Sequence, residues 1–209
     1  MHWRRRLLKE SRLYLILGGR KSYLEAARLL CGVPEIKIVQ LRDKAKSPSR
    51  VLKTARLLRR MFAPVKKLLI INDYPDVALG SQADGVHLGQ NDLPVKEARR
   101  ILGPDKLIGV SCHNLAQAQK AQKDGADYIG IGPVYPTPTK PGAAPIGLNA
   151  AAKLKGRIKI PYFAIGNIQP ANINAVRSAG IRRVAVCRAV LKSAYPSQAA
   201  KYLDRELKK

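Results

Sequence analysis

Two stretches decide the fold: Leu68-Leu69-Ile70-Ile71-Asn72-Asp73 and Gly85-Val86-His87-Leu88-Gly89-Gln90-Asn91-Asp92. Each is a short apolar run, suited to a strand buried on both faces, that ends in a polar, acidic tail. Only a short helix-like segment, Tyr74–Leu79, and a turn lie between them. Strands joined through helices run parallel, so both tails leave on the same side of the sheet.

Outward from this pair the same rhythm recurs. Apolar runs at Leu13–Leu17, Ile36–Leu41, Leu68–Ile71, Gly85–Leu88, Leu107–Val110, Tyr128–Ile131, Tyr162–Ile165 and Val184–Val186 give eight candidate strands. Stretches with apolar residues three and four apart lie between them: Ser22–Leu30, Ser49–Phe62, Pro94–Leu102, Asn114–Lys123, Gly147–Leu154, Pro170–Ser178 and Ser197–Leu207. Pro94 opens one helix and Gly103 follows it, the usual asymmetry of helix ends, while Asn114 is placed to cap the next. Eight strands alternating with helices in 209 residues predict an α/β chain forming a single (β/α)8 TIM barrel with eight parallel strands. An open doubly wound sheet is the alternative. It usually carries a glycine-rich phosphate loop after its first strand, and Leu17-Gly18-Gly19-Arg20-Lys21-Ser22 lacks that spacing. Residues 13–209 make the barrel, the catalytic domain. Residues 1–12 are a basic N-terminal extension, either a helix closing the barrel bottom or a disordered arm.

Composition narrows the function classes. The chain has 46% hydrophobic residues but only 5% aromatics, so the core is mainly aliphatic. No uncharged apolar run is long enough to span a membrane, and the apolar part of the first residues is too short for a secretory signal. Cys31, Cys112 and Cys187 are widely spaced, odd in number and without a CxxC, which points to a reducing cytoplasm rather than a disulfide framework. Thirty-nine Lys and Arg stand against 14 Asp and Glu, a formal charge of +25. The bases are spread through the body rather than gathered in a tail interleaved with aromatics. This favours a solvated basic surface that attracts small anions, and nucleic acid is not expected as a physiological ligand.

The candidate chemistry lies at the strand ends. Asp73 and Asp92 on neighbouring strands suit Mg2+, which takes oxygen ligands and keeps several waters beside one or two carboxylates. The alternative for each is to cap the helix that follows it. Arg42 and Lys44 sit two apart after the second strand and share parity with Gln40, so an extended chain points all three to one side, two of them suited to phosphate oxygens. In so basic a chain, plain surface charge is the competing explanation. A long Pro-rich loop, Gly130–Gly142, follows the sixth strand and carries hydroxyls and Lys140. Gly166 and the Cys187-Arg188 turn, after the last two strands, are candidates for a phosphate cup. Cys187 reads as a small apolar filler rather than a nucleophile. His87 points either into the barrel or out of it, and Ser111 is better placed to hydrogen-bond a ligand than to attack one.

Several strings together resemble thiamine-phosphate synthase. These are Val39-Gln40-Leu41-Arg42-Asp43-Lys44, Ile71-Asn72-Asp73, Ala83-Asp84-Gly85-Val86-His87-Leu88-Gly89-Gln90-Asn91-Asp92-Leu93-Pro94, Gly125-Ala126-Asp127-Tyr128-Ile129-Gly130, Gly132-Pro133-Val134-Tyr135 with Thr137, Thr139 and Lys140, and Ala164-Ile165-Gly166. The resemblance runs in order from about Leu13 to Val190. It implies a (β/α)8 barrel that joins 4-amino-5-hydroxymethyl-2-methylpyrimidine diphosphate to a thiazole phosphate, or its carboxylate form, releasing diphosphate. The cofactor it implies is Mg2+ on Asp73 and Asp92. It further implies that Arg42, Lys44, Asn72 and Lys140 bind the diphosphate, with Gln40 and Ser111 near the pyrimidine. Thr137, Thr139, Gly166 and the Val186-Cys187 turn would hold the thiazole phosphate. The implied reaction is dissociative: diphosphate departs first, and the thiazole nitrogen captures a pyrimidine-stabilised cation. The catalytic set on this basis is Arg42, Lys44, Ser111 and Lys140.

Three positions depart from the family pattern. Asn167 stands where a second Gly is common, and Asn tolerates a left-handed backbone. Cys187-Arg188 replaces a frequent Val-Ser, and Tyr74-Pro75 replaces a frequent Arg-Val. A related thiazole tautomerase, an isomerase of the same fold, typically carries His where this chain has Pro133 and tends to lose the acidic pair. A non-enzymatic, nucleic-acid-binding barrel is the third reading. The expected partners are the two small-molecule substrates, with no membrane, and a homo-oligomer stays open.

Overall fold

Period-two alternation in the strands sorts every second side chain into the barrel lumen and the others toward an outer ring of helices. The computed structural model describes residues 3–18, 23–137 and 142–209. Its strands are β1 (Leu13–Gly18), β2 (Ile36–Arg42), β3 (Leu68–Asn72), β4 (Gly85–Leu88), β5 (Leu107–Cys112), β6 (Tyr128–Ile131), β7 (Tyr162–Ile165) and β8 (Val184–Val186). They are parallel and close in sequence order, with β1 pairing to β8, so the expected eight-stranded barrel is the observed one.

The helices are α1 (Trp3–Glu10), α2 (Tyr23–Cys31), α3 (Pro48–Phe62), α4 (Pro75–Gly80), α5 (Val95–Leu102), α6 (Leu115–Lys123), α7 (Gly147–Ala152), α8 (Ile173–Ser178), α9 (Arg188–Leu191) and α10 (Pro196–Lys208). Their ends follow the local chemistry. Asn114 Oδ1 accepts the Gln117 N–H at 2.9 Å, as its cap position predicts. Pro94, expected inside α5, instead flanks it with an extended ψ of 146°. The α8 helix starts at Ile173 rather than Pro170, because Gln169 and Asn172 first close a turn in which the Gln169 N–H donates to Asn172 Oδ1. The four-residue α9 was not anticipated, being too short to show a period.

Two cores result. The larger packs the outward strand residues, such as Leu15, Val39, Leu69, Val86, Ile108 and Ile129, against helix residues such as Leu30, Ala55, Leu58 and Ala98. The smaller fills the lumen with Tyr14, Ile16, Ile38, Leu68, Ile70, Leu107, Tyr128, Phe163 and Ala185. Tyr14, Tyr128 and Phe163 meet edge to face, with centroids 5.4 to 6.0 Å apart, the favoured geometry for aromatic rings. Gly109 makes this possible, since a Cβ there would lie 2.1 Å from the Tyr128 ring.

Leu8 of α1 joins the lumen cluster at 1% exposure. It sits among the first residues of β3, β5 and β6, so α1 lies across the amino-terminal end of the barrel. Two aspartates fasten it there. Asp84, just before β4, accepts the Leu69 N–H at 3.0 Å, Arg4 Nε at 2.8 Å and Arg59 Nη1 at 3.1 Å. Asp127, just before β6, accepts the Ile108 N–H at 2.9 Å, Arg5 Nε at 2.8 Å and Arg99 Nη2 at 2.6 Å. Among the described residues no helix is long and apolar enough to cross a membrane.

Candidate active site

The carboxyl ends of the strands surround a cavity of about 530 Å3. Position along each strand explains the lining. Lumen-facing residues near the strand starts fill the barrel, and those one or two steps later stand at its mouth. Gln40 and Arg42 of β2, Asn72 of β3, His87 of β4 and Ser111 of β5 are such residues, and all line the cavity. Lys44, Asp73 and Asp92 reach it from the loops that follow, as do Thr137, Gly166 and Cys187, and Val186 reaches it from the end of β8. The structure therefore gathers every expected site residue it describes. Thr139 and Lys140 lie outside the described residues, as does Gly19-Arg20-Lys21-Ser22.

Asp73 and Asp92 are neighbours. The residue flanking α4 is Tyr74 and the one flanking α5 is Pro94, so neither aspartate serves as an N-cap. Asp73 has a left-handed backbone (φ 68°) and donates its N–H to His87 O at 2.9 Å. Asp92 Oδ2 accepts the Gly89 N–H at 2.6 Å, which folds the loop back over β4. Burial pushes the Asp73 carboxyl above its usual range, and the adjacent Asp92 carboxylate pushes it further, partly offset by Lys44. Lys44 Nζ is 3.3 Å from Asp73 Oδ2. Two close carboxylates with one exposed lysine leave a local excess of negative charge on hard oxygen donors, which is what a divalent cation with retained waters fits. Among the described residues no group of three or more His, Cys, Asp and Glu assembles to hold a metal.

The opposite wall is a backbone turn. Gly166 has φ 114°, and a Cβ there would come within 2.6 Å of Pro133 Cβ, so glycine is required where β7 leaves the barrel. Asn167 follows at φ 50°, the left-handed conformation that Asn tolerates, and Asn172 Nδ2 donates to its carbonyl at 3.0 Å. The turn therefore survives the departure from a second glycine. Arg188 opens α9 beside Cys187 and also lines the cavity. His113 Nδ1 is hydrogen-bonded to Gly132 O at 2.5 Å.

His87 points inward. It is 7% exposed and contacts Tyr128 and Ser111 through its two nitrogens. Burial drives its pKa down to about 4, so the ring is neutral at physiological pH. Sequence reasoning missed Tyr14 and Gln90, which line the cavity, and Tyr128 beneath it. Tyr14 and Tyr128 sit within apolar runs that look like plain core. Their parity was the available signal, since Tyr14 and Ile16, like Tyr128 and Gly130, fall on the lumen side.

The fold and this cavity define a (β/α)8 barrel with an acid pair, bases and a glycine turn converging at the strands' carboxyl ends. The chain belongs to the thiamine monophosphate synthase family, whose model matches residues 13–190. A relative named thiamine-phosphate synthase from Nostoc sp. is 44% identical over 208 residues, covering 99% of this chain but 58% of its own length. The chain thus spans little more than half of the cyanobacterial relatives it matches. A thiamine-phosphate synthase from Shouchella clausii is 42% identical over 185 residues, covering 86% of this chain and 88% of its own. Among solved structures, a thiamine phosphate pyrophosphorylase from Pyrococcus furiosus superposes with a TM-score of 0.86 at 34% identity, covering 97% of this chain and 98% of its own.

Proposed function

We propose that the chain is a thiamine-phosphate synthase, condensing an aminopyrimidine methyl diphosphate with a thiazole phosphate to give thiamine phosphate and diphosphate. The observation that carries this reading is the meeting of Asp73 and Asp92 in one cavity with Arg42, Lys44 and Asn72. Breaking the carbon–oxygen bond to a diphosphate leaves negative charge on the departing group, and positive charge held in place lowers that barrier. Mg2+, when bound, would be held by Asp73 and Asp92 and would supply such charge to the diphosphate oxygens. Arg42 offers a fork of N–H donors to the same group and Lys44 a point charge, with Asn72 donating from β3; Lys140, outside the described residues, is the further base that the resemblance assigns to it. Gln40 and Ser111 orient the pyrimidine. Thr137, Thr139, Gly166 and the Val186-Cys187 turn hold the thiazole phosphate, so that its nitrogen faces the carbon the diphosphate leaves. That nitrogen is neutral and loses no proton on bonding, so no general base is needed. A neutral His87, with its pKa near 4, fits a site without one.

The isomerase alternative lacks its histidine, because Pro133 occupies that position, and the acid pair it tends to lose is present. A cytoplasmic setting fits three cysteines that form no disulfide. The test is a coupling assay with both substrates, with and without Mg2+. Thiamine phosphate and diphosphate formed in equal amounts, only with the cation, are the expected result. No product with both substrates and Mg2+ would refute the reading.

A further inference from the structure

The lumen carries an unbroken run of side-chain hydrogen bonds between Gln40 and Ser111, whose inner members Tyr14, Tyr128 and His87 have no part in the proposed chemistry. Gln40 Nε2 donates to Tyr14 Oη at 2.6 Å, and Tyr14 Oη lies 2.8 Å from Tyr128 Oη. Tyr128 Oη is 3.1 Å from His87 Nδ1, and His87 Nε2 is 2.9 Å from Ser111 Oγ. Five strands contribute one residue each. Tyr14, Gln40, Tyr128 and His87 are buried, so water does not compete along the run.

With Gln40 Nε2 as the donor at one end, counting protons fixes the direction of the rest. A phenol has one proton to give, and a neutral imidazole has one N–H. Tyr14 Oη accepts from Gln40, so its proton goes to its other partner, Tyr128 Oη. Tyr128 then donates to His87 Nδ1, which must be bare. The imidazole proton therefore sits on Nε2 and is given to Ser111 Oγ. Gln40 and Ser111 line the cavity, and this order leaves Gln40 Oε1, an acceptor, and the Ser111 hydroxyl proton, a donor, to a ligand. Reversing one end alone would set two donors or two acceptors against each other inside the barrel, which buried groups do not tolerate. A full reversal would also require the Gln40 amide to turn over, since its nitrogen cannot accept.

The geometry points to Tyr14, Tyr128 and His87 as positioning residues that set the polarity of ring recognition. They hold Gln40 as an acceptor and Ser111 as a donor. The pocket then selects a heterocycle that donates toward β2 and accepts toward β5, as an aminopyrimidine does through its exocyclic amine and a ring nitrogen. An oxo-pyrimidine of the same shape puts an acceptor where the amine was, and leaves Gln40 Oε1 facing it. Sites built on such pairing discriminate far more sharply than apolar pockets do. This inference rests on the pyrimidine reading of the site.

The test uses the whole chain. In the 15N-histidine NMR spectrum, with His87 assigned through His87→Gln, the expected signature is a proton on Nε2 and a bare, hydrogen-bonded Nδ1. A proton on Nδ1 overturns the inference and needs no variant to be seen. Calorimetry then compares the 4-amino pyrimidine diphosphate with its 4-oxo isostere. Wild type is expected to prefer the amine at least about 30-fold, and Tyr128→Phe to cut that preference about tenfold or more, with thiazole phosphate affinity unchanged. Tyr14→Phe is expected to do the same and serves if Tyr128→Phe does not fold. A merely structural tyrosine would lower stability and leave the preference intact, which would overturn the inference, as would a wild type that prefers neither ring. A chain that keeps the preference yet makes no thiamine phosphate would remove the proposed reaction and leave the polarity role standing.

Discussion

Strand β4 begins after one aspartate and is followed by another, and the two live in opposite electrostatic worlds. Asp84 at the amino-terminal end accepts a backbone N–H and is clasped by Arg4 and Arg59. Asp127 repeats the arrangement two strands on, with Arg5 and Arg99. Asp92 at the carboxyl end faces Asp73 instead, and Lys44 is the one base that pairs with Asp73 among the described residues. Saturated carboxylates fasten a helix across the bottom, and under-compensated ones wait at the top. On the proposed function, the barrel separates stability from chemistry along its axis, as its architecture permits. Removing charge at one end should harm the rate and at the other the fold.

The largest effect is expected at the top. Asp73→Ala or Asp92→Ala should lower kcat by 10²–10³ or more, about 3–4 kcal/mol by analogy with a lost oxyanion donor, with circular dichroism unchanged. Full activity in both variants would remove the metal assignment. At the bottom, Asp84→Ala strips the partner from Arg4, Arg59 and the Leu69 amide. Urea unfolding should report a loss of about 3 kcal/mol, the low end for breaking a buried pair because both arginines can reach water. Its kcat per folded molecule should match wild type, and a collapse in rate without a loss of stability would erase the contrast.

Leu8→Ala tests the same end without touching charge. It should cost about 2–3 kcal/mol, the low end of the cavity range, since α1 can settle into the gap. The lumen itself is tested by a pH slope. His87 titrates from 6.5 unfolded to about 4 folded, so the unfolded chain binds the extra proton between those values. Its contribution to stability is present above about pH 6.5 and is lost as pH falls toward 4. Unfolding midpoints across that window should flatten in His87→Gln. An unchanged slope would mean that other groups set the acid limb.

Much of this is legible in the sequence. All eight strands fall where the apolar runs placed them, with ends shifted by no more than two residues. The convergence of Asp73, Asp92, Arg42 and Lys44 followed from strand ends sharing one side of a parallel sheet. Parity placed Gln40 with Arg42. What stayed hidden was contact across the barrel. Tyr14 meets Tyr128 over 114 positions, and Arg5 meets Asp127 over 122. Periodicity says which side a residue takes and nothing about whom it meets there. For the same reason Asp84 and Asp127 were visible as members of a motif but not as clasps for α1. The start of α8 was misplaced because Gln169 and Asn172 close a turn that looks helical in composition.

On the proposed function, Asp73 and Asp92 hold a cation against diphosphate. The most direct measurement is a calorimetric titration of Mg2+ into the chain with inorganic diphosphate present, in wild type and in Asp92→Asn. Saturable binding in wild type that is abolished in Asp92→Asn is the predicted result. Equal heats in the two proteins, or no binding in wild type, would contradict the account.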